Sequence, residues 1–352
     1  MNLVKFLRKN LKGTPIQKFV QKVENFCAFN LPGVYNFLWR LHNQVKITDC
    51  GKNILVEMED SPPVLRPKKK FDYSISLPLN FDFEISERKV AAVLHIFYPE
   101  LADELKKFLQ NIPGKVDVYI STVSEEKKIE LEKIFSDFGK GKVFVKVFEN
   151  RGRDIAPAFV GFKDIYKNYD LCVHLHSKKS PHAADRLFGW RDYLYENLLG
   201  SEEIVRGIFK IAENPKVGII FPQYFTQIRI SVNWGENFFA AKDFLSKLNI
   251  ELADNPVLEF PAGSMFWFKP DALTPIFESG IDFEDFPPEL GQTDGTFAHA
   301  IERSFLFIAR SKNFFWIKTC SREKDNGQTP ALKSNSQKDF EENIEKILNS
   351  QN

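Results

Sequence analysis

From Val90 onward the chain alternates apolar runs of strand length with amphipathic runs of helix length, and this alternation restricts the fold more than any other feature. VAAVLHIF reads as a buried strand, and PELADELKKFLQNI as a helix with proline near its first turn. VDVYIST is the next strand. SEEKKIELEKIFSDF follows as a helix, with Ser124 as its N-cap and acids in its first turn. KVFVKVFEN, APAFVGFKDIYKNY and DLCVHLH continue as strand, helix and strand. Strands separated by helices of this length predict an α/β, Rossmann-like domain with a mostly parallel central sheet and right-handed crossovers. Further on, SEEIVRGIFKIAEN and DGTFAHAIERSFLFIA read as helices, and VGIIFP and SMFWFKP as strands. There is no internal repeat.

In such a sheet, ligands gather beyond the carboxyl ends of the strands. Two polar loops fall there. The first holds Arg151, Gly152, Arg153 and Asp154; the second, after DLCV, holds His174, His176, Lys178, Lys179 and His182. Fixed cations, an acid and histidines in adjacent loops point to an anionic substrate, with a nucleoside diphosphate carrying a transferable group as the first expectation. Gly152 marks a place where a side chain obstructs a ligand or a tight turn. Asp154 reads either as a contact to a sugar or ribose hydroxyl, or as the N-cap of the following helix. His174 and His176 share one face of their strand. Three readings stand for them: donation to phosphate oxygens, zinc ligation with His182 or Asp294, and structural hydrogen bonding. His95, Tyr98 and Thr122, after the first two strands, are placed to meet a nucleotide base or ribose. Trp190, Arg191 and Asn197 fall to the acceptor side, as do Gly263 and Ser264 at the mouth of FPAGSMFWF, whose Phe266 and Trp267 read as core.

The rest of the chain bounds these readings. Its 352 residues are 43% apolar and 27% charged, as in a soluble globular protein, and 35 phenylalanines imply a large aromatic core. With 48 basic and 47 acidic residues, the chain lacks the basic excess of a nucleic-acid binder. Cys27, Cys50, Cys172 and Cys320 show no CxxC spacing and fit a reducing cytoplasm. No apolar run is long enough for a membrane span. Residues 1–50 read as a basic amphipathic helical extension, with eight Lys or Arg against Glu24 and Asp49. Such a segment either lies on an anionic membrane or packs on its own domain or a second subunit. Residues 51–88 read as a linker or edge segment in which Pro62, Pro63 and Pro67 resist regular structure, with a short strand at Ile54–Met58. The α/β domain is then expected over 89–312, and a tail with a short helix over 313–352.

The segments VLHIFYPEL, VYISTVSEE, ENRGRDIAP, VHLHSKKSPH, WRDYLYENLLGS, FPAGSMFWFKPDAL and PELGQTDGTFAHAIER run in order from about Val90 to Arg303. Through them the chain resembles the rhamnan synthesis protein F family of polysaccharide-building glycosyltransferases. The resemblance implies transfer of a sugar, often rhamnose, from a nucleotide sugar such as dTDP-rhamnose to a glycan or lipid-linked glycan acceptor. With the cysteine pattern and the basic extension, the expected place of work is the cytoplasm, with peripheral contact to the inner face of the cytoplasmic membrane or to partner assembly enzymes. The resemblance also implies a GT-A-type glycosyltransferase fold. In relatives of that fold a strand like DLCVHLH ends in Asp-x-Asp, which holds a divalent metal on the diphosphate. Here His174-Leu175-His176 stands instead, and hard cations prefer oxygen ligands, so no cofactor is assigned. Arg151, Arg153, Lys178 and Lys179 are then expected to stabilise the leaving diphosphate.

An inverting transfer needs a base for the acceptor hydroxyl. The resemblance points to Asp294, just before the last long helix of the domain, with Glu289 as the alternative; an N-cap is the structural reading of Asp294. On that helix His299 and Glu302 are three apart and can share a face, while Glu302–Arg303 reads as structural. A second class stays open, a non-catalytic glycan-binding or scaffold protein of a polysaccharide assembly complex. A hydrolase is disfavoured, because neither a nucleophile elbow nor a clear carboxylate pair is present.

Overall fold

The computed structural model describes residues 45–58, 61–177, 187, 189–253 and 256–351. The basic extension expected at the N-terminus lies outside the described residues, apart from its last few. β1 (Lys46–Cys50), β2 (Asn53–Met58) and β3 (Ser61–Pro67) form a small antiparallel sheet in that order. The prolines of SPPVLRP therefore sit in a strand, against expectation. β3 is an edge strand, where proline's missing N–H costs no ladder bond. On its outer side Leu65, between the prolines, bonds onward through its backbone, to Pro256 O and from Leu258 N.

The main body is a mixed α/β structure around a mostly parallel nine-stranded sheet. Its first strands are β4 (Ser74–Leu77), β5 (Val90–His95), β6 (Val116–Thr122), β7 (Val143–Val147) and β8 (Leu171–His176). β9 (Val217–Pro222), β10 (Phe266–Phe268), β11 (Phe315–Ser321) and β12 (Ala331–Leu332) complete it, in the order β12-β4-β11-β9-β10-β8-β5-β6-β7. β10 is antiparallel to both its neighbours. The sheet is thus wider than the expected 89–312 span, because β4 and β11 from either side of that span pair in parallel.

Strands buried on both faces need two cores, and the two-residue period supplies them. On β5, Val90, Ala92 and Leu94 face one core while Ala91 and Val93 face the other. The first core is closed by α1 (Ala102–Leu109), α3 (Trp190–Leu199), α4 (Glu202–Ala212) and α8 (Gln337–Ser350). The exposed face of α2 (Glu125–Ile134) explains its weak amphipathicity; Ser124 caps it as expected. The second core is closed by α5 (Phe238–Lys247), α6 (Pro270–Phe277) and α7 (Phe297–Ser311). Much of the phenylalanine content concentrates here, with the Phe159 and Phe266 rings centred 5.0 and 4.9 Å from that of Phe305.

APAFVGFKDIYKNY does not form the expected helix. It makes a π turn, Pro157–Gly161, and then a 3-10 segment, Lys163–Asn168. The Phe162 N–H reaches back to Pro157 O, and the Ala158 carbonyl that a regular helix would offer it accepts the Tyr166 hydroxyl instead, at 2.9 Å. Gly161 lets the turn lie against Phe148, whose ring would be 2.6 Å from a Cβ there.

One buried polar cluster fastens β11. The Lys318 ammonium bonds to Asp72 and Glu259, and Arg229 bonds to Asp72. Burial works against the charge on both Lys318 and Asp72. The two carboxylates nevertheless raise the lysine above its ordinary value, and Lys318 with Arg229 lowers the aspartate below its own.

Candidate functional site

The chain runs from β5 to β6 and β7 on one side and returns to β8 on the other, so the strand order reverses between β5 and β8. A crevice opens at such a switch point, beyond the carboxyl ends of the strands. His95 and His176 stand opposite each other in register at this edge. β10 begins at the same edge, with Phe266 opposite His174, so the Gly263–Ser264 turn before it overhangs the crevice. Gly263 (φ 92°) and Ser264 (φ 56°) are both left-handed there. The result is a cleft of about 750 Å³.

His95, Asp154 and His176 form its floor. The His95 Nδ1 lies 2.9 Å from Ser121 Oγ, which donates to Leu94 O at 3.1 Å. The His176 Nε2–H donates to Gly263 O at 2.8 Å, and Tyr195 donates its hydroxyl to His176 O. His174 lies beneath, fully buried between the Phe159 and Phe266 rings, with its Nε2 3.8 Å from Asp154 Oδ2. Burial pushes both His95 and His174 down to about 4, against the attraction of Asp154. For Asp154, burial works upward, but the surrounding His176, His174 and His95 outweigh it and the carboxyl sits below its usual value.

The opposite wall is built on the start of α7. Thr296, not Asp294, is its N-cap, in a capping box with His299. Asp294 Oδ1 accepts from Asn237 Nδ2 at 2.7 Å and from Arg303 Nη2 at 3.3 Å, and Oδ2 accepts from Glu236 N at 3.4 Å. Gly235 (φ 52°) permits this approach, since a Cβ there would lie 2.1 Å from Asp294 Oδ2. Burial works upward on this carboxyl too, and Arg303 with Asn237 brings it below its ordinary value. Glu302 Oε1 accepts from Gly263 N (2.9 Å) and Ser264 Oγ (3.0 Å), tying α7 to the overhanging turn. Arg153, left-handed at φ 55°, bonds Glu289 at 3.3 Å, His299 Nε2 at 3.2 Å and the Gln292 carbonyl. It thereby clamps the 289–292 segment over the cleft. His299 is lowered by burial, with Arg153 adding to the effect against Glu302.

Ten of the residues singled out in the sequence line this one cleft: His95, Tyr98, Arg153, Asp154, His176, Trp190, Gly263, Ser264, Glu289 and Asp294. Five lie off it. Thr122 is fully buried and donates to Ile96 O. Arg151 is held by Phe286 O and Glu149. Gly152 (φ 63°) serves packing, because a Cβ would fall 2.5 Å from both Ala156 and the Phe286 ring. His174 is under the floor, and Arg191 pairs with Glu104 and Asp192. Asn197 is fully buried below, accepting from Ser321 N. Lys178, Lys179 and His182 lie outside the described residues. His299 and Glu302 do share the cleft-facing side of α7, and Glu302 pairs with Arg303 at 3.8 Å while both line the cleft. The loop SVNWGENFF went unread. Its signal was a cluster of small and amide residues between β9 and α5, and it supplies Asn233, whose carbonyl accepts from Arg303, and Asn237.

The donor set does not fit a divalent metal. His176 spends its Nε2–H on a carbonyl, His174 is sealed among aromatic rings, and among the described residues no three His, Cys, Asp or Glu side chains converge with metal-ligand geometry. Also among them, no helix is long and apolar enough to cross a membrane.

Comparison with known proteins places these features in a family. The family described as rhamnan synthesis protein F matches residues 55–314, a longer stretch than the motifs from Val90 to Arg303. Two curated relatives from two strains of Xanthomonas campestris pv. campestris, both described as uncharacterized protein WxcX, are each 30% identical over 249 residues. That is 70% of this chain and 35% of each relative, so the chain spans about a third of the length of the curated relatives it matches.

Proposed function

This chain belongs to the rhamnan synthesis protein F family, and on that premise we propose that it is a glycosyltransferase of polysaccharide synthesis. Its donor is a nucleotide sugar, dTDP-rhamnose first among them, and its acceptor is a growing cell-surface glycan. The order β7-β6-β5-β8, followed by the antiparallel β10 and then β9 and β11, supports a Rossmann-like GT-A reading of the sheet.

The observation that carries the reading is the state of the four carboxylates in the cleft. Glu289 is engaged by Arg153, Glu302 by the Gly263–Ser264 turn, and Asp154 is buried in the floor. Asp294 is the most accessible, with 34% of its side chain exposed against 15%, 13% and 12% for the other three. It is therefore the base. The acceptor hydroxyl attacks the anomeric carbon, its proton passes to Asp294, and the bond to the diphosphate breaks with its electron pair leaving on the phosphate oxygen. The configuration inverts. Among the described residues Arg303 and Arg153 are the lysine or arginine side chains that line the cleft, and their fixed donors stabilise the departing charge. The depressed basicity of Asp294 keeps it ionised at neutral pH at some cost in driving force.

Asp294→Asn tests this assignment. Transfer of labelled sugar should fall by about 10²-fold or more, the upper part of the range for general base catalysis, while calorimetric binding of the donor stays within about twofold. Unchanged turnover removes Asp294 as the base.

A further inference from the structure

We propose that the floor of the cleft, Asp154 with His95 and His176, seats the sugar of the donor by its hydroxyl groups and excludes the diphosphate; this rests on the transferase reading above. The polarity of the floor carries the inference. Asp154 lines the cleft at 8% exposure, and its Oδ2 has no hydrogen-bond partner among the described residues. Among the described residues no lysine or arginine is within ion-pair distance of it; the His174 Nε2 lies 3.8 Å from it. Burying a carboxylate without a cation is costly, and the cost is recovered only when a donor arrives.

The histidines add acceptors rather than charge. The chain from His95 Nδ1 through Ser121 Oγ to Leu94 O is satisfied when Nδ1 carries the proton, which leaves Nε2 as a lone pair. Burial keeps His95 and His174 uncharged at neutral pH, as both titrate at about 4. The His176 Nε2–H is already given to Gly263. A phosphate oxygen placed on this floor meets a negative carboxylate and a nitrogen lone pair. A sugar hydroxyl meets two acceptors, one of them charged, which makes the stronger kind of hydrogen bond. The diphosphate therefore lies elsewhere, so the reading of His176 as a donor to phosphate oxygens gives way, while Asp154 keeps its reading as a contact to a sugar hydroxyl.

The test separates sugar from nucleotide. Calorimetric titration of wild type and Asp154→Asn with dTDP and with dTDP-rhamnose is expected to show at least tenfold weaker binding of the nucleotide sugar by the variant, with the Kd for dTDP within twofold. Equal loss for both ligands, or loss for neither, overturns the proposal while leaving the transferase reading intact. If the wild type binds no nucleotide sugar in a panel of dTDP, UDP and GDP derivatives, the transferase reading itself fails, and the proposal with it. A second arm needs only wild-type protein: donor analogues with one sugar hydroxyl replaced by fluorine, which cannot donate. At least one position should lose tenfold or more; losses under twofold at every position overturn the assignment. The apo variant should melt no lower than wild type, because asparagine removes a buried charge that has no cation.

Discussion

Lys318→Met tests whether the buried ion cluster holds the seam between β4 and β11. Lys318 is 4% exposed, and the carboxylates it joins, Asp72 and Glu259, are 2% and 5% exposed. Methionine preserves most of the lysine stem, so packing changes little while two acids lose their shared cation. Arg229 still serves Asp72, but Glu259 keeps only the Trp316 indole N–H at 3.2 Å among its described hydrogen bonds. Removing one partner of a buried pair costs about 3–5 kcal/mol, out of a total stability of about 5–15 kcal/mol. At about 2–4 °C per kcal/mol, the melting temperature should fall by about 6–20 °C.

The pH dependence is equally specific. The raised pKa of Lys318 makes its contribution fully present below the unfolded lysine value, about 10.4, and lost as pH rises through the higher folded value. The depressed pKa of Asp72 makes its contribution present above about 3.9 and lost as pH falls through the lower folded value. Neither group titrates between pH 5 and 9 in the wild type. In the variant, a buried carboxylate without its cation is relieved by protonation, so the deficit should narrow as pH falls from 7 toward 5. Urea unfolding at pH 5, 7 and 8.5, followed by circular dichroism, measures both effects. A loss below about 1 kcal/mol at pH 7, or a deficit that ignores pH, refutes the reasoning.

Gly152→Ala puts a methyl group against Ala156 and Phe286 in a left-handed backbone, costing about 1–2 kcal/mol for the conformation and about 1–3 kcal/mol for overpacking; unchanged urea unfolding would contradict the contact. Gly235→Ala should displace the Asp294 carboxylate, and a shift of about 1 Å is enough to cut kcat roughly 10²-fold. Normal kcat in that variant would detach Asp294 from the chemistry. With the Asp294 pKa depressed, the transfer rate should hold steady from pH 7 to about 5 and decline only below the ordinary aspartate value of about 3.9. An acidic limb near pH 6 would instead assign the proton to a histidine.

The strands β5 and β8 were legible because burial on both faces produces continuous apolar runs, and β6 and β7 because apolar residues recur at every second position; the helices between them carry local caps such as Ser124. β11 was not. Its FWIKTCS carries a lysine whose partners, Asp72 and Glu259, are 246 and 59 positions away, so no local pattern marks that lysine as interior. β4 is four residues long, too short for periodicity to register. In the cleft, the loops after β5, β7 and β8 were readable from topology alone. Which face a loop-end residue chooses was not, which is why Thr122 and Arg151 turned away. Glu302 and Arg303 looked like an ordinary helical pair because the groups they serve, the Gly263 turn and Asn233, come from distant segments.

Calorimetric titration of the protein with dTDP-, UDP- and GDP-sugars, with and without a chelator, tests the central claim most directly. The expected result is selective binding of one nucleotide sugar that survives chelation, since the floor of the cleft does not suit a divalent metal. Absence of binding to every donor, or binding that vanishes with the chelator, would contradict it.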